Sequence, residues 1–107
     1  MSLSVYLTAV RPTTVYDGNV THNLVDMAKA AGVYGVVWRP EENGIATAAD
    51  MIPHLERGLT WLRDNADEAK KYNPANGWGD YYGFRDFLEV YLSACRRDPD
   101  ATVRASR

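Results

Sequence analysis

The sequence predicts an α+β domain in which a small sheet pairs the N- and C-terminal strands and about three helices cover it. Apolar residues alternate with period two near both ends of the chain, which is typical of half-buried strands. Between those ends, apolar residues recur at helical spacing. Helices packed on one side of the sheet would bury the apolar face of each element. Because no repeat or linker interrupts the pattern, residues 1–107 are expected to form one globular domain.

The predicted strands are short and bounded by turn residues. Residues 3–10 alternate cleanly, and Pro12 ends that pattern. Residues 13–16 can pair as a short second strand, and the composition of Asp17-Gly18-Asn19 predicts a turn after it. The last strand is predicted at residues 101–106, where apolar and polar residues alternate again.

Each of the three predicted helices has a capping residue at its start. Thr21 caps the first helix, and Gly32 ends it because glycine accepts the left-handed conformation found after many helices. Thr47 and Asp50 form a capping box at the start of the second. Asp80 caps the third, whose apolar face is the clearest in the chain and consists of Tyr81, Phe84, Leu88, Tyr91, Leu92 and Cys95.

Other stretches are less regular. Pro53 lies inside the second helical pattern, so the first turn of that helix is expected to be bent or separate. A further helical turn is expected at residues 66–72. The apolar residues 33–38 predict either a brief strand or a buried turn, and residues 73–79 predict a loop. Gly58, an odd residue for a helix interior, would be explained by a close helix crossing or by a dimer contact.

Composition argues against several classes of partner. The net charge is −2 and there is no basic stripe, so nucleic acid is not expected as a partner. With two distant histidines and Cys95 as the sole cysteine, neither a metal, a disulfide nor a cofactor is expected. No stretch approaches the roughly 20 apolar residues of a membrane span, and the N-terminus lacks the pattern of a signal peptide. The expected location is the cytoplasm.

Three polar–aromatic loops carry chemistry that the fold pattern does not explain. Thr21-His22-Asn23 lies at a helix start, where unpaired N–H groups suit an anion and His22 could act as a base. Trp38-Arg39-Pro40 places a ring beside a guanidinium, which binds carboxylates and phosphates. In Asn76-Gly77-Trp78-Gly79, the glycines free the backbone around Trp78, and Tyr82 follows as a second exposed-ring candidate.

Each loop also has a purely structural interpretation. Thr21 can simply cap a helix whose first turn carries the neighbouring His and Asn. Arg39 can pair with Glu41 or Glu42 and hold its loop. Trp78 can fold back over the core, with its glycines only making the turn. Only the occurrence of all three loops in one small domain favours a shared site.

Three runs of the sequence together resemble a family of short bacterial and phage proteins. They are Tyr16 to Leu24, Trp38-Arg39-Pro40-Glu41-Glu42, and the stretch from Asn73 to Gly79, followed by a similar Tyr91-Leu92-x-Ala94-Cys95. The resemblance covers nearly the whole chain. It implies a standalone product of phage origin, and it transfers no activity and no catalytic residue.

The leading hypothesis is a non-enzymatic binding protein that holds a small anionic or nucleotide-like ligand. The resemblance to phage proteins adds the hypothesis that this binding sequesters a host defence signal. One alternative is an inhibitor or adaptor of a host protein, or a homodimer, using the aromatic loops or the flank of His54 and Trp61. Another is a small enzyme with His22 as base, helped by Glu41 or Asp80. The candidate ligand-binding residues are Thr21, His22, Asn23, Trp38, Arg39, Asn76, Trp78 and Tyr82.

Overall fold

The computed structural model describes residues 1–9 and 13–107 and confirms the α+β architecture. Strands β1 (Ser2–Thr8), β2 (Thr14–Thr21) and β3 (Thr102–Ser106) form an antiparallel sheet in the order β2-β1-β3. The N-terminal strand is therefore central and pairs with the C-terminal strand, as predicted. The predicted end of the first strand at Val10 and its stop at Pro12 lie outside the described residues.

Helices fill the chain between the second and third strands. Two are 17 residues long, α3 (Ala48–Asp64) and α5 (Tyr81–Arg97), and they pack against each other. Three short helices accompany them, namely α1 (Val25–Ala30), α2 (Tyr34–Trp38) and α4 (Ala66–Lys70). Single 3₁₀ turns at His22–Leu24 and Pro40–Glu42 precede α1 and follow α2. None of the helices in the described part of the chain is long and apolar enough to cross a bilayer.

Side-chain caps start the helical segments where the sequence predicted them. The Thr21 hydroxyl accepts a hydrogen bond from the Asn23 N–H at 3.2 Å, and Asp80 Oδ1 accepts one from the Gly83 N–H at 2.8 Å. Thr47 and Asp50 exchange both bonds of the capping box. The backbone N–H groups that donate to Asp50 hold the pKa of its carboxyl below the usual value. These caps satisfy backbone groups that the first turns would otherwise leave unpaired.

The predicted turn at residues 17–19 is wrong, because these residues continue β2. Asp17, Gly18 and Asn19 pair with Tyr6, Val5 and Ser4 of β1. Turn-forming composition is here overridden by the ladder hydrogen bonds that the edge strand β2 makes to the central strand β1.

Gly18 in this strand makes room for a neighbouring ring. A Cβ at Gly18 would collide with the hydroxyl end of Tyr16, two residues earlier on the same face. The Tyr16 ring stacks on Tyr91 of α5, with the ring centroids 5.6 Å apart. Gly18 therefore leaves room for the sheet to pack on α5, and it does not form a turn.

The structure also decides between the alternatives that the sequence left open at two other stretches. Residues 34–38 form the one-turn helix α2, whose Val36, Val37 and Trp38 are buried, so the alternative of a buried turn is confirmed and that of a brief strand is wrong. The Val37 N–H donates to the Val33 carbonyl at 3.0 Å, so the run satisfies its own backbone without a strand partner. Pro53 lies within α3, which is continuous from Ala48 to Asp64, so the first turn is not separate. Packing of the apolar face of α3 outweighs the single hydrogen bond that proline cannot donate.

A single apolar core lies between the sheet and the helices. The inward residues of β1, Leu3, Val5 and Leu7, are fully buried in it. Cys95 is also buried, and burial raises the pKa of its thiol to about 12, so it fills the core as the sequence predicted. Among the described residues, the core contains no buried charged side chain.

The unpartnered hydroxyl of Tyr91 generates a prediction about stability. This oxygen is buried and has no hydrogen-bond partner within residues 1–9 and 13–107. Burial raises the pKa of the Tyr91 hydroxyl. Because an unpaired buried polar group is costly, Tyr91→Phe is expected to raise the free energy of unfolding by about 1 kcal/mol. Tyr81→Phe is the matched control, since the Tyr81 hydroxyl donates to the Leu62 carbonyl at 2.9 Å and its loss should destabilise by a similar amount. Urea denaturation measures both, and equal losses would contradict the unpaired state of Tyr91.

A second prediction concerns Gly58, which the structure places against Val33 just before α2. A Cβ at Gly58 would collide with Val33 Cγ1, and both residues are buried. This contact within one chain accounts for the glycine without a dimer. Gly58→Ala gains about 1 kcal/mol in helix propensity but overpacks the core by about 1–3 kcal/mol, so a net loss of stability is expected. The double variant with Val33→Ala should lose less than the sum of the two single losses, whereas a stabilised Gly58→Ala would disprove the close contact.

Candidate functional site

The first and third loops meet in space, although 53 residues separate Asn23 from Asn76 in sequence. Asn76 Nδ2 donates to Asn23 Oδ1 at 3.2 Å, and Asn23 Nδ2 donates to the Thr21 hydroxyl at 2.9 Å. The other end of the Asn76 amide, Oδ1, accepts the backbone N–H of Trp78 at 2.9 Å. A chain of hydrogen bonds therefore connects Thr21, Asn23, Asn76 and Trp78.

Gly79 allows the third loop to lie this close to the first. Its φ is +98°, a conformation that L side chains rarely adopt. A Cβ there would lie 2.9 Å from Thr21 Cγ2 and 3.0 Å from Leu24 Cδ1. The far side of the loop is fixed by Asn73, whose Oδ1 accepts the Tyr81 N–H at 2.8 Å. The loop is thus held at both ends, and the glycine after Trp78 determines how closely it docks.

A surface depression of about 510 Å³ lies where the two loops meet the edge of the sheet. The Trp78 side chain forms one wall and is 68% exposed, so it does not fold back over the core. The residues that line the depression are Met1, Ser2, Asn19, Thr21, Asn23, Asn76 and Trp78. None of their side chains is ionised. The depression offers one apolar ring surrounded by neutral hydrogen-bonding groups.

The second loop reaches this region only through the interior. Trp38 is 1% exposed, and its Nε1–H donates to His22 Nδ1 at 2.9 Å. His22 Nδ1 must therefore carry a lone pair, which in a neutral imidazole leaves the proton on Nε2. Tyr34 stacks on Trp38 with the ring centroids 5.7 Å apart. His22 thus joins the core to the first loop, and neither His22 nor Trp38 lines the depression.

Arg39 adopts the structural alternative that the sequence left open. Its Nη1 pairs with Glu42 at 2.7 Å and its Nε donates to the Tyr34 hydroxyl at 3.5 Å. Hydrogen bonds to Tyr34 and Glu42 raise the pKa of the guanidinium. The adjacent Glu41 pairs with Arg107 at 2.7 Å, which lowers the pKa of that carboxyl. Arg39 does not line the depression beside Trp78.

Tyr82 belongs to a different cluster at the start of α5. Its ring is 51% exposed and contacts the Tyr81 ring edge-on, with the centroids 5.2 Å apart. Lys70 Nζ lies 5.1 Å and the Arg85 guanidinium 5.3 Å from the centre of the Tyr82 ring. These cations stabilise the ring face electrostatically. Tyr82 is not among the residues that line the depression.

The carboxylates considered as partners of a His22 base lie elsewhere. Glu41 is hydrogen-bonded to Arg107, and Asp80 caps α5 at Gly83. Within the described structure, no hydrogen bond joins either carboxylate to His22. Among residues 1–9 and 13–107, no group of three His, Cys, Asp or Glu side chains is arranged to hold a metal ion.

The structure therefore brings together four of the eight predicted ligand-binding residues, Thr21, Asn23, Asn76 and Trp78. It adds Ser2 and Asn19, and Asn19 was not a candidate because the composition around it predicts a turn. None of the family models, curated proteins or solved structures compared with the chain matches it. The resemblance to short bacterial and phage proteins stays a prediction, and function is argued from the geometry of the depression.

The hydrogen bond between Trp38 and His22 predicts that His22 stabilises the fold, and the stability of His22 variants tests this structural role. His22→Ala leaves the Trp38 Nε1–H without its acceptor, so the free energy of unfolding is expected to fall by about 1–3 kcal/mol. His22→Asn can present its Oδ1 near the position of Nδ1 and should recover most of that loss. Urea denaturation followed by circular dichroism measures both variants. Equal stability of the alanine and asparagine variants would show that the hydrogen bond contributes nothing.

Proposed function

We propose that this protein is a non-enzymatic binding protein that holds a small ligand against Trp78 in the depression between the first and third loops. The observation that carries the proposal is an indole that is 68% exposed on a loop whose backbone the hydrogen-bonded amides of Asn76 and Asn23 hold in place. A large apolar ring left in water gains free energy when a ligand covers it. The wall is therefore suited to stacking, and the amides to orienting what stacks.

Preorganisation of the two loops supports binding over a purely structural role. The Asn76 amide bridges Asn23 and the Trp78 backbone, so both loops hold their positions before a ligand arrives. Binding then requires little further ordering of side chains, which is a main cost of association. A loop that served only to connect α4 to α5 would not require an exposed tryptophan above a network of this kind.

The charge of the lining indicates the chemistry of the ligand. The lining side chains are uncharged and Arg39 is paired with Glu42, so hydrogen bonds to a neutral group, and not an ion pair with a side chain, would select the ligand. The matching chemistry is a ring that carries hydroxyl groups, since amides and hydroxyls can bind each hydroxyl as donor or acceptor. Such a ring occurs in free sugars and in nucleosides. A nucleotide would fit with its sugar and base in the depression and its phosphate in solvent.

The biological role follows from the resemblance and belongs to the same proposal. In a phage-encoded protein, a non-catalytic site for a nucleoside-like ligand would serve to sequester a signal made by host defence. Sequestration requires tight binding and no turnover, which agrees with the absence of a recognisable catalytic motif in the sequence.

Calorimetric titration with nucleosides, mono- and cyclic nucleotides and monosaccharides tests the proposed site. Trp78→Ala is expected to weaken the best ligand about 5- to 150-fold, which corresponds to the loss of one stacking interaction of about 1–3 kcal/mol. Tyr82→Ala is the matched control, because it removes an exposed ring of the same segment that does not line the depression. No heat with any compound, or equal losses in both variants, would overturn the proposal.

A second candidate, an inhibitor or adaptor of another protein, is favoured by the exposed aromatic rings of one segment. Tyr72, Trp78 and Tyr82 are 38%, 68% and 51% exposed and lie within eleven residues of sequence. Aromatic residues often dominate the energetics of protein interfaces. In this case Trp78→Ala and Tyr82→Ala would both reduce capture of a protein partner from a host lysate, and no small molecule would bind the depression.

A further inference from the structure

A second depression of about 440 Å³ adjoins the first on the outer face of the sheet. It is lined by Ser4, Tyr6, Asp17, Gly18 and Asn19. Asn19 lines both depressions, so the two share a wall. Together they extend from Trp78 along the outer face of β1 and β2 to Tyr6.

The strand register explains why these side chains form a continuous row. Ser4 pairs with Asn19, Tyr6 with Asp17 and Ser2 with Thr21, across β1 and β2. Because side chains alternate along a strand, these residues face away from the core that Leu3, Val5 and Leu7 occupy. At about 3.3 Å per residue, the four steps from position 21 to position 17 span about 13 Å, which exceeds one ring.

Asn19 fixes the hydrogen-bonding pattern in the middle of this row. Its Nδ2 donates to the hydroxyl oxygens of Ser2 at 3.0 Å and Ser4 at 3.1 Å, which uses both amide hydrogens. Asn19 is exposed and can still accept a hydrogen bond through Oδ1, and both serine hydroxyls can still donate. Alternating donors and acceptors match the hydroxyl groups of sugars, each of which can both donate and accept.

We propose that the two depressions form one groove for a linear, neutral oligosaccharide, with one sugar ring on Trp78, another on Tyr6, and the chain between them on Asn19. This assignment rests on the proposed function and names the ligand class of the same site. The groove has an aromatic ring at each end and hydroxyls and amides between. Asp17 is the one ionised side chain that lines it, and Arg104 pairs with Tyr6 from β3 on the same face, so the two charges beside this ring balance and favour a neutral chain.

Calorimetric titration with cello- and chito-oligosaccharides, from the monosaccharide to the hexasaccharide, tests the groove. The affinity is expected to rise with chain length and to level off once the chain reaches Tyr6. Tyr6→Ala should weaken the hexasaccharide about tenfold and leave the monosaccharide unchanged, since only the longer ligand reaches this ring. Tyr6→Phe keeps the ring and should retain the affinity. Trp78→Ala should weaken ligands of every length.

The outcomes separate the groove from the simpler site beside Trp78. If affinity does not depend on length and Tyr6→Ala changes nothing while Trp78→Ala weakens the monosaccharide, the groove is overturned and the proposed function stands. Binding of nucleosides without any oligosaccharide also overturns the groove alone. Tighter binding of an acidic oligosaccharide or of single-stranded RNA overturns its neutral character. No binding in either panel overturns both proposals. Circular dichroism of each variant confirms that the fold is retained.

Discussion

The central position of β1 is the constraint on which the rest of the structure depends. This strand pairs with β2 on one side and β3 on the other, so both ends of the chain are tied into one sheet. Its inward residues, Leu3, Val5 and Leu7, are fully buried beneath the helices. The same alternation places Ser2, Ser4 and Tyr6 on the opposite face, and that face carries the proposed groove. Burial on one side of a single strand therefore positions the polar row on the other.

Several residues that suggest chemistry in the sequence have structural roles in the fold. His22 satisfies the indole N–H of the buried Trp38, and Arg39 pairs with Glu42 beside Tyr34. A buried indole N–H without an acceptor would cost free energy, which gives a histidine at this position a physical reason that requires no ligand. By contrast, Asn76 and Trp78 meet the first loop at the surface, where their exposed groups remain available.

The sequence predicted the elements that depend on local interactions and missed the part of β2 that depends on pairing with β1. Capping by Thr21, Thr47 and Asp80 was predictable because each cap satisfies backbone groups only two or three residues away. The strand through Gly18 was not, since its backbone is satisfied by β1. For the same reason Asn19 was missed as a site residue. The one-turn helix α2 was not distinguished from a strand because a short apolar run of five residues is compatible with both structures.

The sequence by itself determined the fold class, the pairing of the terminal strands, and the three loops that carry unusual chemistry. The elements and the loops follow from composition, periodicity and capping, which act over a few neighbouring residues, and the pairing follows from the need of a small sheet and its helices to bury their apolar faces together. Only the tertiary structure decided that the loops of Asn23 and Trp78 meet, that Trp38 lies buried behind His22, and that Asn19 joins the site. Those contacts join residues far apart in the chain, and they depend on close approaches such as that of Gly79 to Thr21, which no local pattern encodes.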